Sequence, residues 1–147
     1  MFDFDPSQSP QEYFRLILLT VVGQAFGAAG YALVERPTQW AGGLFRFVKS
    51  SGDGQRIIEF QLLAYVDNAP SRFRVSLSRA DGARRTLSAL VVEDFGVAIL
   101  PSADHWWQFR DVTELGRALA EAGYLVVGYG LPWLAGEDLP GVPPTNY

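Results

Sequence analysis

Residues 44–63 read LFRFVKSSGDGQRIIEFQLL, and residues 71–78 read SRFRVSLS. Apolar and polar side chains alternate through both stretches, the two-residue period of a strand with one buried face. Gly52-Asp53 interrupts the first stretch with turn residues. A two-residue turn of the glycine-first type there sets Phe47 opposite Ile58, Phe45 opposite Phe60 and Arg46 opposite Glu59. Apolar pairs then share one face and an ion pair falls on the other. A slip of one residue would mix the two faces, so the pattern selects this pairing.

The next loop, 66–71, sets Tyr65 opposite Arg72, so that Phe60, Leu62 and Ala64 meet Leu77, Val75 and Phe73. Glu59, Gln61, Arg74, Ser76 and Ser78 line the other face, interspersed with Ile57, Leu63 and Tyr65. Asp81-Gly82 marks a further turn. Residues 84–92 admit either a strand or a short helix, and 97–100 read as a strand ended by Pro101. Residues 102–109 read as a loop carrying His105, Trp106 and Trp107. Adjacent residues on extended backbone point to opposite sides, which sends one tryptophan to the core and the other outward.

Helices flank the sheet. Ser9-Pro10-Gln11-Glu12 is a helix start: a capping serine, proline in the first turn and a glutamate three residues after the cap. Phe14, Ile17, Leu18, Val21, Val22, Ala25 and Phe26 follow at helical spacing, and Gly30 is the expected stop. A short strand fits before Pro37. The second helix starts at Asp111, with Glu114 three residues on; Leu115, Leu119 and Ala122 form its apolar stripe. Gly128, Gly130 and Pro132 are expected to end it. The expected fold is therefore α+β: an N-terminal helix, an antiparallel sheet of four to five strands, and a C-terminal helix packed on the same face. It forms a single domain over 1–147, with the first eight residues and 136–147 irregular.

Composition narrows the function classes. At 48% hydrophobic and 19% charged, the 147 residues have the balance of a packed domain. Twelve basic against sixteen acidic side chains leave a net charge of −4, so no nucleic-acid partner is expected. The absence of cysteine excludes disulfides, thiolate nucleophiles and cysteine-ligated metals. The start, Met-Phe-Asp-Phe-Asp, is acidic where a leader would be basic, which points to a cytoplasmic location. The nineteen residues from Leu16 to Val34 carry no charge. Thr20, Gln24 and three glycines lower their hydropathy, and a helix end near Gly27–Gly30 leaves them too short to span. The expectation is a buried helix and no membrane.

Several pieces of the chain resemble the uncharacterised bacterial domain-of-unknown-function family four-three-zero-four. They are Gly30-Tyr31 after an apolar helix, Phe60-Gln61 in the second strand, and Arg72-Phe73-Arg74-Val75-Ser76-Leu77 in the third. Trp106-Trp107 before the last helix and Gly130-Leu131-Pro132-Trp133-Leu134 after it complete the set. The resemblance covers roughly residues 12–134 and implies a helix–sheet–helix α+β domain. It implies no activity and no catalytic residues, and residues 79–100 lie outside it.

The chemistry-bearing residues are sparse. His105, the only histidine, stands beside Asp104 with Ser102 nearby, but neighbours in sequence rarely point at one another and no nucleophile elbow accompanies them. Asp67, Glu93, Asp94 and Asp104 lack the spacing of a cation loop, and no phosphate-binding glycine loop occurs. A Glu59–Glu93 acid/base pair is a weaker account of Glu59 than a surface pair with Arg46. The aromatics Trp40, Trp106, Trp107, Tyr129 and Trp133 suggest contact, against a core role for any single tryptophan; of Trp106 and Trp107 one is expected in the core and one exposed.

No catalytic residue, metal or cofactor is expected. Candidate contact residues are Trp106, Trp107, His105, Arg46, Glu59, Gln61 and Arg74. The residues select no activity. The expectation is a small cytoplasmic non-enzymatic binding or protein-interaction module that meets a protein partner or a second copy. The alternative is a small enzyme or metabolite-binding protein with a pocket near Trp106 and Trp107.

Overall fold

A computed structural model of the chain describes residues 9–64 and 70–136. Helix α1 spans Pro10–Ala28 and begins as expected, with Pro10 in its first turn and the Ser9 hydroxyl accepting from the Glu12 amide at 3.1 Å. Gly30 turns the chain at φ +95° into strand β1, Ala32–Leu33. A short helix α2, Pro37–Ala41, leads to β2, Leu44–Ser51, and β3, Gly54–Leu63. Strands β4 (Ser71–Ser78) and β5 (Arg84–Thr86) follow. All neighbours are antiparallel in the order β1-β2-β3-β4-β5, and a further strand, β6 (Trp107–Phe109), pairs with β4.

The β2–β3 register is the one the alternation selects, from Leu44 opposite Gln61 to Ser51 opposite Gly54. The turn type differs. Positive φ falls on Gly54 (+132°), not on Gly52, and a Cβ at Gly54 would lie 2.9 Å from the Ala80 carbonyl oxygen. The β3–β4 register differs by two residues from expectation: Phe60 faces Val75, Leu62 faces Phe73 and Leu63 faces Arg72. A two-residue shift leaves every side chain on its own face, so alternation alone cannot distinguish the two registers. Tyr65, Asp67, the first eight residues and 137–147, all assigned above, lie outside the described residues.

Residues 84–94 combine both readings: strand β5, then α3 (Leu87–Ala89) capped by the Thr86 hydroxyl, then a π-helical turn over Leu90–Asp94. Residues 97–100 are turn, not strand. The Val97 amide bonds back to the Val91 carbonyl at 3.0 Å, which closes the helix end and takes that donor from any ladder. The stretch read as a loop at 102–109 supplies β6, three residues too short for alternation to announce. The last helix, α4 (Val112–Leu125), is capped by Asp111, but Gly128, Gly130 and Pro132 do not end it. It continues through a π turn, Val126–Gly130, into α5, Leu131–Leu134. Pro132 sits in the first turn of α5, where a missing N–H costs little.

Both long helices cover the face carrying Phe45, Phe47, Ile58, Phe60, Phe73, Val75 and Leu77. Phe14 of α1 meets Phe45 and Phe73 at ring distances of 5.0 and 5.6 Å, and Phe26 meets Phe47 edge-on at 5.0 Å. Gly123 lets α4 approach α1; a Cβ there would stand 2.7 Å from a Val22 methyl. Each such buried phenylalanine or leucine contributes about 1.5–3 kcal/mol of transfer free energy. No helix among the described residues is long and apolar enough to cross a membrane.

Candidate functional site

The sheet face opposite the long helices presents Arg46 from β2, Glu59 and Gln61 from β3, Arg72 and Arg74 from β4, and Arg84 from β5. The alternation that buries the phenylalanines forces these side chains outward together. Glu59 is only 7% exposed. A carboxylate removed from water this far needs charged partners. It has two: Arg46 Nε donates to Oε2 at 2.6 Å, and Arg84 Nη2 donates to Oε1 at 2.8 Å. In the adjacent row Arg74 Nε donates to Gln61 Oε1 at 3.0 Å, and its Nη1 lies 3.9 Å from Asp104.

Trp106 reaches this face from the position just before β6. The guanidinium carbons of Arg72 and Arg74 stand 4.8 and 4.7 Å from its ring centroid. Two cation–π contacts on one indole restrict the ring and both arginines. Among the described residues this face gathers four arginines and two carboxylates, Glu59 and Asp104, on a chain whose net charge is −4. Half-buried Leu44, Val48, Ile57 and Leu63 lie among the charges.

His105 and Trp107 do not join this group. Trp107 is buried on the helix side, stacked on Phe73 at 5.5 Å, with its indole N–H donating to Glu121 at 2.8 Å. The His105 ring meets Trp107 edge-on at 4.6 Å, and its amide donates to the Ser88 hydroxyl at 3.1 Å. Burial pushes the His105 imidazole below its ordinary pKa, against the opposing pull of Glu121. The adjacent tryptophans therefore part as extended backbone requires. Beyond Trp107, a cleft of about 390 Å³ opens between β6 and α4, rimmed by Arg110, Glu114, Arg117 and Glu121. Glu114 accepts the Arg110 amide at 2.7 Å, and Glu121 holds the Trp107 indole.

Glu93 and Asp94 are occupied elsewhere. Arg85 draws in both Asp94, at 2.6 Å, and Glu93, at 3.1 Å, and these bonds raise its pKa, Asp94 first. Arg85 lies opposite Leu77 on the helix side, so Glu93 and Glu59 are parted by the sheet. Among the described residues no three acidic or histidine side chains gather as a metal site. Arg72 and Arg84 are the site members that sequence reasoning missed. Arg72 was legible in the Arg-Phe-Arg alternation of β4; Arg84 sits in the stretch whose structure the pattern left open.

No family model, no curated protein and no solved structure matches the chain.

Proposed function

We propose that this chain is a non-enzymatic binding module whose working surface is the uncovered sheet face, and that its partner is a protein presenting an acidic segment. The observation that carries this reading is Trp106 in cation–π contact with both Arg72 and Arg74 beside the Arg46–Glu59–Arg84 bridge. Tryptophan and arginine are the residue types that dominate binding energy at protein interfaces, and here both are restrained before any partner arrives. Charge complementarity favours a carboxylate-bearing partner. A phosphate backbone is a poorer match, because tight binding to it takes on the order of six to ten cationic contacts and the rest of the chain is acidic. The likeness to the uncharacterised family assigns no residue roles, so the reading rests on this face alone.

The test captures partners from native lysate with the wild-type chain and with an Arg72→Glu/Arg74→Glu variant at matched salt. A partner held by the wild type, released by salt and lost in the variant supports the reading. It is overturned by a partner that both chains retain equally, by nucleic acid as the captured species, or by a self-associated dimer that the charge reversal leaves intact. Saturable binding of a metabolite in the cleft beside Trp107, with no partner on the arginine face, would favour the small enzyme or metabolite-binding alternative.

A further inference from the structure

A second cleft, of about 530 Å³, opens on the other side of the sheet at the end of the β2–β3 hairpin, between the end of α1 and the α4–α5 helix. Its position follows from the strand period. Phe45 and Phe47 on β2, and Ile58 and Phe60 on β3, are the apolar face. The next residues outward on that same face are Lys49 and Arg56. The two are directly opposite one another across the strands. Like charges in that relation repel.

Arg56 is already matched. Its Nη2 bonds Asp53 at 3.0 Å, its Nη1 bonds the Ser51 hydroxyl at 2.6 Å, and its Nε bonds the Leu134 carbonyl at 2.9 Å. The Ser51 hydroxyl, then the Arg56 guanidinium, hold the Asp53 carboxyl below its ordinary pKa. Lys49 has no ion pair among the described residues. Its ammonium stands 5.9 Å from the Tyr31 ring centroid, and its stem passes Gly30, where a Cβ would come within 3.2 Å of Lys49 Cε. Among the described residues that line the cleft, Lys49 and Arg56 against Asp53 leave one net positive charge. The opposite wall is apolar: Val127, 44% exposed, with Leu131, Pro132 and Ala135.

We propose that this cleft binds an amphiphilic monocarboxylate, its carboxylate on Lys49 and its apolar body along Val127, Leu131 and Pro132. A single net positive charge matches a monoanion. A phosphate dianion would ask for several free donors where one ammonium is uncommitted. The volume lies in the range of small-molecule pockets. The proposal is independent of the arginine face and fails or holds separately from it.

The test titrates the full chain with sodium octanoate, sodium butanoate and 1-octanol by isothermal calorimetry. Octanoate is expected to bind saturably at one site. Butanoate should bind more weakly by about fourfold for each buried methylene it lacks, and octanol more weakly for want of the charge. Lys49→Met should weaken octanoate by about tenfold or more, and Lys49→Arg should retain most of the affinity. Lys49→Met relieves the repulsion from Arg56, so its Tm is expected at or above that of the wild type, and lost binding then reports the site and not the fold. Absence of saturable octanoate binding, or wild-type affinity in Lys49→Met, overturns the proposal.

Discussion

The two faces of the sheet are built by the same strands and obey opposite rules. One closes phenylalanine against phenylalanine under two helices; the other spreads arginines around one buried glutamate with no long helix over them. Side chains on the first face are interchangeable in kind and demanding in shape, because their energy comes from area and packing. On the second they are demanding in kind, because a buried charge is tolerated only with its partners in place. The helix face therefore carries most of the stability, and the proposed reading gives partner recognition to the arginine face.

The most forceful way to break that division is Phe60→Ala, at the centre of the helix face. A loss of roughly 3–5 kcal/mol is expected from chemical denaturation; a loss under about 1 kcal/mol would mean that the helices do not seal this face. Gly43→Ala strikes the margin. Gly43 has φ +82°, and a Cβ there would collide with the Leu62 carbonyl oxygen, so at least about 2 kcal/mol should be lost in the same measurement. On the other face, Glu59→Gln is expected to cost roughly 1–2 kcal/mol. Arg46 and Arg84 are partly exposed and can turn to water, which keeps the loss below that of a fully enclosed pair.

A smaller effect comes from pH. The His105 pKa is lower in the folded chain than its ordinary value of 6.5, so below that value the unfolded chain takes up the proton more readily. Stability should be full above pH 6.5 and fall as pH drops through the folded pKa. His105→Asn should flatten that part of a Tm-against-pH curve, since the chain has no other histidine. The smallest stability change, within about 0.5 kcal/mol, is expected for Arg74→Ala. Paired with loss of partner capture, that near-silence would sharpen the division of labour between the faces; a large destabilisation would erase it.

The helix face was legible in the sequence because burial imposes a period, and Phe45, Phe47, Ile58 and Phe60 repeat it up to Lys49 and Arg56 at the hairpin end. The opposite face was legible in part. Arg46 and Glu59 follow from the same register, but Glu59's second partner, Arg84, comes from a three-residue strand too short to declare a period. The two-residue shift of β4 was invisible because it exchanges no faces. Continuation past Gly128 and Pro132 was missed for a different cause: the usual stop residues act on an α-helix, and this one changes hydrogen-bond pattern before reaching the proline.

That change has a consequence for helical phase. A π turn holds one residue more than an α turn, and in an α-helix each residue advances the next side chain by about 100° around the axis. The extra residue in Val126–Gly130 therefore sets the azimuth of everything after it. It aims the last two carbonyls of α5 at the strands, where Trp133 accepts from Arg79 at 2.7 Å and Leu134 from Arg56 at 2.9 Å. Deleting one residue between 126 and 130 would leave the composition nearly unchanged and rotate that clasp away from the hairpin, so the helix works there as a dial whose setting is counted in residues.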